Sequence, residues 1–154
     1  MDDEGVSRPP LDAAGVERRL REFLEAVDAG DGIALARCFE PDATAYFPFR
    51  DPAQLVRSRE AIVARFEALF GAWNRQGRSP PYVGLRPGAL ELEPAGADHA
   101  LATFVLDIAG STGRRTVLLR HGAAGWRIRH LHASNVQAAS AAVHPPADGS
   151  RRDA

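Results

Sequence analysis

Lysine is absent from this chain, and all 19 basic residues are arginine. Schiff-base catalysis and covalent attachment of pyridoxal phosphate both need a lysine amine, so both are excluded. Cysteine occurs once, at Cys38. No internal disulfide can form, no structural zinc site is expected, and a reducing compartment fits. An excess of charge of either sign is also missing. The 19 basic and 20 acidic residues leave a net charge of −1, which gives no electrostatic reason to expect nucleic acid or an anionic membrane as partner. No apolar run approaches the ~18 to 20 residues that span a bilayer. The start, Met-Asp-Asp-Glu, is acidic, so the expectation is a cytoplasmic protein without a secretory signal. The chain has no Gly-x-Gly-x-x-Gly fingerprint, no phosphate loop ending in Gly-Lys and no Gly-x-Ser-x-Gly elbow. Nucleotide cofactors and serine hydrolysis are thereby disfavoured, and no cofactor is expected.

What is present suits one domain. The 154 residues are 45% hydrophobic and 25% charged, the proportions of a globular protein with a single core. Segments 1–11 and 140–154 are rich in Pro, Gly, Asp and Arg without periodicity and read as disordered tails. The ordered domain is expected over 12–139.

Helical periodicity comes first. Val16, Leu20, Phe23, Leu24 and Val27 fall on one face of a helix, with Gly30 suited to its C-terminus and Asp31 to the next N-cap. A second, shorter helix is expected to carry Ile33, Leu35, Ala36 and Phe39, ending near Glu40 because Pro41 follows. Asp42–Phe49 reads as an aromatic strand entering a loop, and Asp51-Pro52 as the start of one helical turn. Ile62, Phe66, Leu69, Phe70 and Trp73 mark a third helix, stopped by Gly77 and Pro80-Pro81. From Tyr82 the period becomes that of strands: Tyr82–Glu93 with a break at Pro87-Gly88, then Ala100–Ile108, Arg115–Arg120 and Trp126–Val136. His121–Gly125 is a hairpin turn signal. Helices followed by a strand meander predict an α+β fold.

The order helix, Gly-Asp, helix, Phe39-x-x-Asp-Ala43, aromatic strand, Arg59-Glu-Ala-Ile62 resembles the nuclear-transport-factor-2-like superfamily. The ending Gly125-Trp-Arg-Ile-Arg-His-Leu-His-Ala-Ser134 looks like the last strand of its SnoaL-like and DUF4440-type members. The resemblance covers about 120 residues. It implies a cystatin-like cone, in which three N-terminal helices pack on a strongly curved antiparallel or mixed sheet that encloses a pocket. Superfamily members include isomerases, cyclases and dehydratases as well as non-catalytic association domains, so fold alone does not settle function.

The candidate site residues follow. Alternation along a strand puts Ile128, His130, His132 and Ser134 on one face, which in the family looks into the cavity. His130 and His132, with Tyr46, are the candidate catalytic groups for cofactor-free acid/base chemistry. Two other readings of the histidines stay open: buried structural groups, or two ligands of a metal ion with Asp107 as a weak third. Ser134 beside His132 cannot make a triad, because side chains two apart on a strand are parallel. The frame Asp42-Ala-Thr-Ala-Tyr-Phe-Pro48 resembles the segment that carries the carboxylate base of ketosteroid isomerase, but Phe47 stands at that place, so the resemblance does not carry that mechanism over. Phe47, Phe49, Phe66, Phe70, Trp73 and Phe104 are candidates for lining a pocket that takes a small hydrophobic or aromatic molecule. Arg115, next to Arg114, could reach its mouth and bind an acidic group, and Trp126 reads as structural. The superfamily also implies a homodimer through the outer sheet face, with Leu131, Ala133 and Val117 or Leu119 as candidate contacts. A non-catalytic binding or dimerisation module is the alternative to an enzyme.

Overall fold

Asp12 starts the first helix, its carboxylate accepting a hydrogen bond from the Gly15 amide at 3.0 Å. The computed structural model describes residues 10–49 and 54–136. The turn expected at Asp51-Pro52 and most of both tails lie outside the described residues. Helix α1 (Ala13–Ala29) buries Val16, Leu20, Phe23, Leu24 and Val27, the face its periodicity predicts. Gly30 ends it at φ 65°, a left-handed conformation that costs glycine little. Asp31 then caps α2 (Gly32–Arg37) through the Ala34 amide at 3.0 Å.

Helix α2 stops short of the expected Glu40. Phe39 opens strand β1 (Phe39–Tyr46) instead, fully buried and edge-to-face with Phe23 at 5.7 Å, while Ile33 stays 73% exposed. Burying the Phe39 ring among α1 and the sheet outweighs one more helical turn. Pro41 is tolerated in β1 because the ladder there is irregular. A two-residue strand, β2 (Val56–Arg57), leads through Ser58 into α3 (Arg59–Arg75), with the Ser58 hydroxyl capping the Ala61 amide at 3.2 Å.

The strand expected over Tyr82–Glu93 is broken in two, β3 (Arg86–Pro87) and β4 (Glu91–Pro94), on either side of Gly88. Tyr82 is no strand residue; its ring stacks on Phe70 at 6.1 Å. Asp28 of α1 holds the following loop, its carboxylate accepting from the Val83, Gly84 and Leu85 amides at 3.2, 3.0 and 2.8 Å. Three long strands complete the sheet: β5 (His99–Ile108), β6 (Ser111–Gly122) and β7 (Gly125–Val136).

Among the described residues seven strands form one sheet in the order β2-β1-β7-β6-β5-β3, with β4 also pairing with β5. The sheet is mixed, since β1 runs parallel to β7 and the other pairs are antiparallel. The helices pack on its concave, inner face, giving the expected α+β architecture. Trp126 is buried at the start of β7. Its indole donates to Asp12 at 3.2 Å and its carbonyl accepts from Arg19 at 2.6 Å, tying β7 to the start of α1.

Candidate functional site

A single extra residue in β7 decides which side chains look inward. Leu119 pairs with Ile128 and Leu118 with His130, so Arg129 has no partner on β6. This is a β-bulge, with two residues of one strand opposite one of the next, and it reverses the alternation beyond it. Before the bulge Trp126 and Ile128 are buried; after it Leu131 and Ala133 are buried. The other edge of β7 is also irregular, four β1 residues (40–43) intervening between the rungs Phe39–Ile128 and Thr44–His130. Arg129 fastens the distortion by donating to the Asp42 carbonyl at 2.6 Å and pairing with its carboxylate at 3.5 Å.

The expectation that His130, His132 and Ser134 face the hollow is therefore overturned. They share the outer face of the sheet with Thr44 and Tyr46, their rung partners in β1, and with Thr116 and Arg114 in β6. There the Tyr46 ring lies 6.2 Å from His130 and 5.5 Å from His132, and the Thr44 hydroxyl meets His130 Nδ1 at 2.7 Å. Burial, then the neighbouring His132 and Arg129, holds the His130 pKa below the usual imidazole value. So Tyr46, His130 and His132 do stand together, but outside the cavity. By the same parity the suggested dimer contacts turn inward, not outward: Leu131, Ala133, Val117 and Leu119 are all buried on the inner face.

Among the described residues no group of three His, Cys, Asp or Glu side chains is placed to hold a metal ion. Asp107, on β5 and so two strands away from the histidines, accepts from the Gly110 amide at 2.9 Å and shapes the β5–β6 turn.

The hollow itself lies between the helices and the inner sheet face, a cavity of about 120 Å³. Helix α1 contributes Phe23, Leu24 and Val27, and α3 contributes Phe66, Leu69 and Trp73. Phe47, Pro48 and Phe49 close one side and Val83 and Leu85 another. The sheet adds Leu106, Ile108, Arg115, Leu131, Ala133 and Asn135. Of the aromatic candidates, Phe47, Phe49, Phe66 and Trp73 reach the cavity. Phe70 instead packs among Phe66, Trp73 and Tyr82 in the core. Phe104 turns toward a separate groove with Leu20 and Leu90. Sequence reasoning missed the α1 residues, whose helical spacing reads equally well as plain core, and Asn135 near the strand end.

Arg115 is the one charged side chain among the described residues that line the cavity. It projects from the inner face of β6, opposite Phe104 and Ala133. Its Nη1 donates to the carbonyls of Arg114 at 2.8 Å and Ser134 at 3.1 Å and to Asn135 Oδ1 at 3.4 Å. Burial lowers its pKa to about 10. Gly113, two residues back on the same face, leaves the guanidinium its room. A Cβ there would stand 2.9 Å from Arg115 Nη1 and 2.6 Å from Ile108 Cδ1.

Comparison with known proteins agrees with this architecture. Among solved structures the chain is similar to a proposed dehydratase of the nuclear-transport-factor-2-like family from Streptomyces avermitilis, with TM-score 0.67, 17% identity, and 81% of this chain and 96% of that one covered. A protein with a cystatin-like fold from Caulobacter vibrioides gives TM-score 0.66 at 18% identity, covering 80% and 88%. The CaMKII hub of S. rosetta gives 0.62 at 22%, covering 83% and 99%. At such identities the likeness is one of fold. None of the curated proteins matches the sequence. The family model of the SnoaL-like domain matches residues 20–136, most of the described chain, and the protein belongs to that family.

Proposed function

We propose that this SnoaL-like domain binds a small hydrophobic or aromatic molecule in the cavity between α1, α3 and the inner sheet face. The lining carries the reading. Five aromatic rings and a shell of aliphatic side chains surround the space, with Arg115 and Asn135 as the polar side chains. That composition suits a largely apolar guest fixed by a few directed contacts. Cofactor-free isomerase, cyclase or hydratase chemistry would also need a proton shuttle beside the guest. His130, His132 and Tyr46 lie on the other face of the sheet, so the geometry supports binding better than turnover.

Ligand-observed NMR with a panel of single-ring compounds tests this. Binding should be lost in Ala133→Phe, which fills the cavity, and kept in His132→Phe on the opposite face. The reverse pattern would refute the reading.

A second reading, self-association through the outer sheet face, has its own support. Tyr46 (40% exposed) and Val105 (50% exposed) lie there beside half-buried Leu101 and Leu118, and no described element covers them. Similar structures include the CaMKII hub and a CaMKII association domain. Light scattering at micromolar concentration should give a dimer that Val105→Asp dissociates; a monomeric mass for the unaltered chain would rule it out.

A further inference from the structure

Arg115 sits in the cavity wall without a counter-charge. No described carboxylate forms an ion pair with it. All three of its hydrogen bonds leave from Nη1 and end on neutral oxygens. Among the described residues, its Nε and Nη2 donate to nothing. That Nε–Nη2 edge is the side of a guanidinium that receives both oxygens of a carboxylate. The guanidinium is half-buried, and the depression of its pKa has burial as its cause, with no acidic neighbour to offset it. Gly113 fits the same picture, since any larger residue there would crowd the guanidinium.

The size of the space sets a second limit. At about 120 Å³ it is close to the roughly 150 Å³ of an apolar protein cavity that admits benzene. One guanidinium in the lining matches one negative charge, so a doubly charged phosphate is a poorer fit than a monoanion.

We infer that the cavity takes a small carboxylate with an apolar body of about one ring, and that Arg115 receives the carboxylate through its free edge. This rests on the proposal that the cavity is a ligand site, and it names the class of ligand.

Phenylacetate and its neutral isostere phenylacetamide are the probes, titrated at neutral pH into the full chain by calorimetry, with benzylamine as the cationic control. The acid should bind roughly tenfold or more tightly than the amide, and benzylamine should not bind. In Arg115→Met the preference should shrink to within about twofold while the amide keeps its affinity. Equal binding of acid and amide, or a preference that survives in Arg115→Met, overturns this inference and leaves the cavity reading standing. Failure of all three probes to bind removes the cavity reading and this inference together. The comparison of acid with amide on the unaltered chain decides the matter even if the variant does not fold.

Discussion

Leu131 and His132 are neighbours on a strand and so point to opposite faces; the bulge at Arg129 decides which of them looks inward, and truncating each to alanine separates the two environments. Leu131 is 2% exposed. Removing about three buried carbons at about 0.8 kcal/mol each costs about 2.4 kcal/mol, and a void left behind adds to that. Because Leu131 already borders an open cavity, the space joins an existing one instead of forming a sealed hole. A total of about 2.5–3.5 kcal/mol is expected, near the low end of such series. For a domain of this size that corresponds to a fall in Tm of roughly 10 °C. His132 is exposed on the outer face, so His132→Ala should stay within about 0.5 kcal/mol of the unaltered chain. Urea denaturation followed by far-UV circular dichroism, with the slope checked for constancy, measures both. If His132→Ala costs as much as Leu131→Ala or more, the inward and outward assignments on β7 are wrong, and the cavity proposal falls with them.

Gly113→Ala should cost about 1–3 kcal/mol through overpacking, because the new methyl would press on Ile108 and the Arg115 guanidinium; a neutral urea midpoint would show that Arg115 is not confined there. Asp12→Asn should weaken the tie between α1 and β7 and flatten the acid limb of stability. The Gly15 amide first, then the Trp126 indole, hold the Asp12 carboxyl below the ordinary carboxylate range. Its contribution is complete above the unfolded value of about 3.9 and is lost as pH falls through the folded one, so equal acid limbs would contradict the pairing. His130, with a pKa depressed chiefly by burial, binds a proton more weakly folded than unfolded. Stability should therefore decline as pH falls from about 6.5 downward. A chemical-denaturation series from pH 7 to pH 5 (roughly the range in which an imidazole titrates) should show less decline in His130→Gln, and an unchanged slope would refute the assignment.

Much of this fold is legible in the sequence because local signals and tertiary packing agree. The apolar positions of α1 and α3, the glycine after α1 and the Asp31 cap all appear where spacing and side-chain chemistry put them. The turn before Gly125 is equally readable, that glycine standing at φ 81°. Phe39 shows where local reasoning stops. Pro41 forbids helix only in its immediate neighbourhood, whereas the Phe23 ring that draws Phe39 into the sheet lies far away in sequence. The bulge is harder still. Arg129 looks like any alternate residue of a regular strand, and what displaces it is the irregular stretch 40–43 of a parallel neighbour, anchored at Asp42. Alternation therefore identified the right strand and the wrong face. For the cavity, composition pointed to aromatic residues, but only their placement separates Phe66 and Trp73, which border the space, from Phe70, one turn away in the core.

The three amides gathered by Asp28 have a bearing on how the cavity wall is held. Val83 and Leu85 form part of that wall, and their loop hangs from the same helix that presents Phe23, Leu24 and Val27. Two segments more than fifty residues apart thus share one anchor, and a single carboxylate keeps five apolar side chains of the lining in mutual register.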